Sequence, residues 1–348
     1  MTTIPYFDGH NDTLLRLLEA PGTDKETPFI EGMAEAHIDL PKAKAANMVG
    51  GFFAIFPPAL KSNLADTVSS AAGTAKLPPQ LALHDAQDVT FRMASILLRL
   101  ERQGAAAICR TAAEIRAAEA AGKLATVFHI EGAEAIDTDF RALDVLYGAG
   151  LRSIGLVWSR ENAFGTGVPF VHNSTPDIGP GLTDAGKELV RLCNSLGVMI
   201  DMSHLNAAGF RDVAAISTHP LVATHSNVHA ISPHARNLMD WQLAAIRESK
   251  GMVGLNFATA FLRPDGQFND QTDIETMVRH VDAMVEAVGE DHVGMGSDFD
   301  GARIPAAIGD VKGVQKLFAA LLDKGYGEAL VRKIARDNWV SLIARTMG

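Results

Sequence analysis

The sequence predicts a (β/α)8 TIM barrel that occupies residues 1–348 as one domain, with extra helices inserted between its second and third strands. Three observations carry that expectation. Eight short apolar runs recur between residues 6 and 301, amphipathic segments of helical period separate them, and the first run leads into DGHND where a dinucleotide fold would show a glycine fingerprint. Continuous apolar strands alternating with amphipathic helices are the pattern of a parallel sheet buried on both faces, because each crossover helix covers the sheet. An open doubly wound sheet is the other fold compatible with that alternation.

Taken in order, the runs are YFDGH at 6–10, VGGFFAIF at 49–56, ATVFHIEG at 125–132 and LRSIGLVW at 151–158. GVMIDMSH at 197–204, LVATHS at 221–226, GMVGLNF at 251–257 and HVGMGSDFDG at 292–301 complete the set. Helical periodicity marks DAGKELVRLCNSL (184–196), DIETMVRHVDAMVEAV (273–288) and GVQKLFAALLDKG (313–325). The stretch 57–124 is too long for one crossover, and its patterns DAQDVTFRMASILLRLERQ and TAAEIRAAEAAG read as the inserted helices. Gly- and Pro-containing segments at 166–183 and 264–271 read as loops, and no repeat or low-complexity stretch is present.

With 47% hydrophobic and 21% charged residues, the chain has the balance of a globular protein. A formal net charge of -10 and a pI near 5.6 oppose a sequence-independent grip on phosphate backbones, so nucleic acid is not expected as a partner. No run of about twenty apolar residues appears, and MTTIPYFDGHND lacks the basic and apolar segments of a leader, so a cytoplasmic protein without a membrane partner is expected. Cys109 and Cys193 sit in apolar surroundings and read as packing residues.

What the runs end with bears on function. The first ends in His10 with Asp12 just beyond, the third in Glu131, the fifth in His204, the sixth in His225 and the eighth in Asp298. Carboxyl ends of barrel strands share one face, so three imidazoles and three carboxylates converge there. That donor set suits two divalent ions, most naturally zinc, sharing a carboxylate. Each member also has an ordinary reading. Asp12 could cap the helix TLLRLLEA, Asp298 could hold a turn and Ser203 could begin the helix after His204, while His129, His219, His229, His234, His280 and His292 read as hydrogen-bonded core histidines.

In this order and at these separations, FDGHND, HIEGAEAI, DMSHLN, ATHSNVHAISPHARNLMD, GLNF and GMGSDFDG resemble the renal (membrane) dipeptidase family, the M19 peptidases, with weaker similarity in KIARDNWVSLI. The resemblance implies a binuclear zinc barrel of the amidohydrolase type. It makes His10 and Asp12 ligands of one zinc, His204 and His225 ligands of the other, and Glu131 with a water or hydroxide the bridge. Asp298 becomes the proton-handling carboxylate, and Arg236 the residue that holds the substrate's terminal carboxylate. One position departs: Trp158 stands where many members place a substrate-contacting His, with Arg160 and Asn162 just beyond as substitutes for the lost polar contact.

The expected activity is therefore zinc-dependent hydrolysis of a small-molecule dipeptide, L-Xaa-D-Xaa included, by a metal-bridging hydroxide. Hydrolysis of N-acyl amino acids or lactones on the same barrel is the first alternative, and a non-catalytic metal-binding barrel the second. Homodimer formation is left open.

Overall fold

Each of the eight apolar runs supplies a strand, and a ninth strand comes from the long second connection. The computed structural model describes residues 3–58 and 77–348. Its strands are β1 Tyr6–Asn11, β2 Met48–Ile55, β3 Ala106–Ile108, β4 Leu124–Glu131, β5 Leu151–Gly155, β6 Met199–Asp201, β7 Val222–Ala223, β8 Met252–Leu255 and β9 Val293–Met295. They run in the order β2-β1-β9-β8-β7-β6-β5-β4-β3, and a β2–β4 pairing closes eight of them into a parallel barrel.

The ninth strand, β3, departs from the expectation of helices alone. It pairs with Leu124, Ala125 and Thr126 of β4, while β5 pairs with the same strand from Phe128 onward. Eight residues make β4 long enough to carry both partners on one edge. Three residues, two of them alanine, are too few for periodicity to reveal. The helices Leu83–Arg102 and Ala112–Ala120 form the described part of the insertion. Residues 59–76 of it lie outside the described residues.

Strand alternation sorts side chains between two apolar layers. Phe53, Phe128, Ile130, Ile154, Ala223 and Val253 join the large cluster that the surrounding helices cover. Phe7, Phe52, Val127, Met199, Val222 and Met252 form a second cluster with Trp339. Trp339, fully buried, donates from Nε1 to Met295 O at 2.9 Å and closes the barrel floor. A Cβ at Gly9 or Gly294 would stand 2.4 Å from that indole, so both positions require glycine. The motif KIARDNWVSLI thereby contributes the plug on which the site rests.

Helix starts follow their sequences. Thr183, Asn206 and Asp273 each cap a following helix by accepting a backbone N–H three residues on. Asn206 therefore begins the helix Ala207–Ile216, a role the sequence offered to Ser203. Cys109 and Cys193 are buried and unpaired. Among the described residues, no helix is long and apolar enough to cross a membrane.

Candidate metal centre and active site

Val127, His129 and Glu131 share one face of β4, and they climb from the plug to the barrel mouth. Glu131 Oε1 lies 2.8 Å from His204 Nε2, 3.3 Å from His225 Nε2 and 3.7 Å from His10 Nε2. His10 Nε2 stands 3.6 Å from Asp12 Oδ2, and the His10 and His225 rings stack with centroids 3.7 Å apart. Asp12 holds the N-cap position of the helix Thr13–Glu19 but makes no side-chain capping bond, so its carboxylate is available to this cluster. His10, Asp12 and Asp298 form a further group whose potential ligand atoms lie within 4.8 Å of one another.

This donor set fits cations. His204 Nε2 and His225 Nε2 face each other at 3.1 Å, and both face the same carboxylate oxygen. Their Nδ1 atoms are engaged on the far side, by Ser159 Oγ and Thr224 Oγ1 at 2.8 Å each. Both nitrogens of the fully buried His10 lack a hydrogen-bond partner, as does Asp12 Oδ1. Buried polar atoms without partners are costly, and lone pairs crowded at this range require a positive charge among them.

The electrostatics agree. Burial pushes the imidazoles of His204 and His225 well below their ordinary range, which keeps them neutral and ligand-competent. Burial also opposes charge on His10, but Glu131, Asp12 and Asp298 outweigh it and push that ring up to about 10. Glu131 is raised by its burial, and Asp298 by burial together with the neighbouring Asp12. Glu131 and Asp298 thus lack adequate countercharge from the protein alone.

Asp298 follows β9 with φ at +60°, a left-handed conformation that Asp tolerates better than most residues. Its backbone N–H donates to His10 O at 3.0 Å, and its Oδ2 accepts from Asn256 Nδ2 at 2.9 Å. Asn256, the Asn of GLNF, thus aims Asp298, a role that its place in the motif does not reveal.

Above the cluster opens a cavity of about 400 Å³. Asp12, Glu131, His204 and Asp298 reach its floor, and Phe56, Trp158, Phe170, Phe261 and Phe268 dominate its walls. Trp158 packs on Phe56 at 4.8 Å and on Phe170 at 5.4 Å between ring centroids. Neither residue offered as a polar substitute lines the cavity. Arg160 stacks behind Trp158 at 4.7 Å and pairs with Glu134 at 3.4 Å, while Asn162 is committed to loop backbone at Leu156, Phe164 and Gly165. Arg236 is 2% exposed and lies outside the lining residues. Its guanidinium donates to the carbonyls of Ser203 and His225, and its Nε has no partner. Among the described residues, Arg303, exposed at the rim, is the one cationic side chain that lines the cavity.

The other histidines divide. His280 bonds Val228 N and Leu262 O, and His292 bonds Gly251 O, as core histidines do. His129 bonds Ser153 Oγ at 2.8 Å, but it also sits directly beneath His10, with its Nε2 unpartnered 3.8 Å from Asp201.

A closed parallel barrel with buried histidines and carboxylates at its strand ends, under an apolar cavity, is the arrangement of a metal-dependent hydrolase. The family model for membrane dipeptidase, peptidase family M19, matches residues 1–346, and the chain belongs to that metallopeptidase family. It is 50% identical to a metallo peptidase from Rhodobacter sphaeroides solved with a phosphinate mimic of the dipeptide L-Ala-D-Ala, over 99% of this chain and 100% of that one, with a TM-score of 0.96. A second solved M19 metallo peptidase, dipeptidase AC, is 51% identical over the full length of both chains, with a TM-score of 0.94. A Klebsiella pneumoniae protein known from the pqqA 5' region is 44% identical over 74% of this chain and 96% of its own length.

Proposed function

We propose that this dipeptidase holds two zinc ions through His10, Asp12, Glu131, His204 and His225, with Glu131 between them, and that it cleaves dipeptides with a D-residue at the second position. The observation that carries the reading is the convergence of three imidazole nitrogens, from His10, His204 and His225, on Glu131 Oε1 at the floor of a small cavity. When bound, zinc would supply Lewis-acid polarisation of a carbonyl and acidify water toward neutral pH.

The protein's own groups account for the rest. Asp298, held by Asn256 and raised by burial, can take a proton from the attacking water and return it to the leaving amine. A volume of about 400 Å³ lies at the small end of ligand sites, which suits a dipeptide and excludes a folded polypeptide. The aromatic walls exclude water and offer apolar side chains a surface. The L-Ala-D-Ala mimic bound by the Rhodobacter relative supports the stereochemical part of the reading. For the substrate's terminal carboxylate, Arg236 offers its unpartnered Nε, while Arg303 offers charge at the rim.

A panel of L,L- and L,D-dipeptides, N-acyl amino acids and lactones, assayed on zinc-loaded protein, tests this. Turnover confined to dipeptides, with L,D members among them, is the expected result. Turnover of acyl amino acids or lactones alone would overturn it.

A further inference from the structure

Beneath the two facing histidines runs a buried chain of hydrogen bonds with a defined direction. Asp201, at the end of β6, accepts Thr224 Oγ1 and Ser203 Oγ at 2.6 Å each, and the backbone N–H groups of Ser203 and Thr224 at 3.0 and 2.9 Å. With two backbone N–H groups and two hydroxyls directed at its oxygens, Asp201 is the acceptor in each of these bonds. The Thr224 hydroxyl therefore commits its single proton to Asp201, and only its lone pairs remain for His225 Nδ1, 2.8 Å away. His225 must then carry its proton on Nδ1. Its Nε2 is left as a bare lone pair aimed at Glu131.

We propose that Asp201 and Thr224 are positioning residues that lock His225 in the Nδ1–H tautomer and so make it competent to bind metal. The proposal rests on the reading of His225 as a ligand. A metal-bound histidine whose other nitrogen is held by an outer partner is both oriented and made more basic. The same carboxylate also orients the backbone, because Ser203 Oγ, bonded to Asp201, accepts the His225 N–H at 3.1 Å. His204 lacks such a lock. Its Nδ1 meets Ser159 Oγ, and among the described residues that hydroxyl has no other side-chain partner to fix which of the two donates.

The test uses the metal-free full-length chain labelled with ¹⁵N-histidine, in which long-range proton–nitrogen correlations distinguish the two imidazole tautomers. The His225 signals are assigned by their loss in His225→Gln. Zinc affinity is then measured by competition with a chelator. Wild type and Thr224→Ser, which keeps the hydroxyl, should show the Nδ1–H form. Thr224→Val, which keeps the shape but loses the relay, and Asp201→Asn, whose amide can donate and reverse it, should shift His225 toward Nε2–H. Both should weaken zinc binding by about 10–100-fold, the usual scale for an outer partner of a ligand. Ser159→Ala should leave the His225 tautomer unchanged.

An Nδ1–H His225 with wild-type zinc affinity in Thr224→Val would overturn the proposal. So would an equal loss in Thr224→Ser, which would make packing the cause. Should Asp201→Asn not fold, the Thr224 pair still decides. The tautomer is read without metal, so failure of wild type to bind zinc would count against the metal reading and leave this result separate.

Discussion

Trp158→Ala is the substitution whose consequences the cavity defines most fully. The indole is 7% exposed, packs on Phe56 and Phe170, and covers the guanidinium of Arg160. Truncating a buried Trp costs about 3–5 kcal/mol, and the low end applies here because one side of the ring already faces the cavity. On substrate, an apolar side chain covering on the order of 60 Å² of the indole gains about 1.5 kcal/mol at roughly 25 cal/mol per Å², or about tenfold in affinity. That contact exists before and during the reaction, so the loss belongs in KM. Steady-state kinetics on L-Leu-D-Ala and L-Ser-D-Ala should show KM rising about tenfold for the first, little for the second, and kcat falling less than KM rises. Urea unfolding should show the stability loss in parallel. A kcat lower by several hundred-fold with KM unchanged would make Trp158 a transition-state group and refute the wall.

Further perturbations separate the remaining roles. Asp298→Asn keeps a residue that tolerates the +60° backbone, so it should retain its metal and lose about 10²-fold or more in kcat; loss of metal with activity would make Asp298 a ligand. Arg303→Gln should raise KM about 1.5–5-fold, the scale of an exposed ion pair, without changing metal content. Arg236→Gln should raise KM more strongly, and a loss of bound zinc instead would assign Arg236 to the support of Ser203 and His225. Burial pushes His280 down to about 4, with Nδ1 accepting from Val228 N and Nε2 donating to Leu262 O. Its folded pKa lies below its unfolded value, so its contribution is present above about pH 6.5 and is lost as pH falls toward 4, about 3 kcal/mol in all. His280→Gln, which cannot ionise, should lose stability less steeply over that window in urea titrations; an unchanged slope would contradict this.

Much of this architecture was legible because barrel strands are short, apolar and end in polar residues. Glu131 could be placed at the mouth because it closes a mostly apolar run, and Asp298 because GMGSDFDG turns abruptly polar. β3 was not legible, since three residues carry no period. The aromatic wall escaped for a different reason: Phe56 follows β2, Phe170 sits in a loop, and Phe261, on a short helix, and Phe268 share the connection after β8, so only closure of the barrel brings them together. Arg236 and Asp201 show the limit most clearly. The motif placed Arg236 near the site, but whether a guanidinium faces the cavity or backs onto carbonyls depends on packing. Asp201 reads as an unremarked strand end until Thr224, 23 residues on, is seen to bond it.

The central claim is a pair of metal ions sharing Glu131, and elemental analysis with zinc titration on the full chain and on Glu131→Gln tests it most directly. Wild type should hold about two zinc ions, because a structural site would need only one closed four-ligand shell. Glu131→Gln should lose most of that binding, since a neutral amide is a poor bridge between cations. One ion or none in wild type, or two retained in Glu131→Gln, would contradict the account.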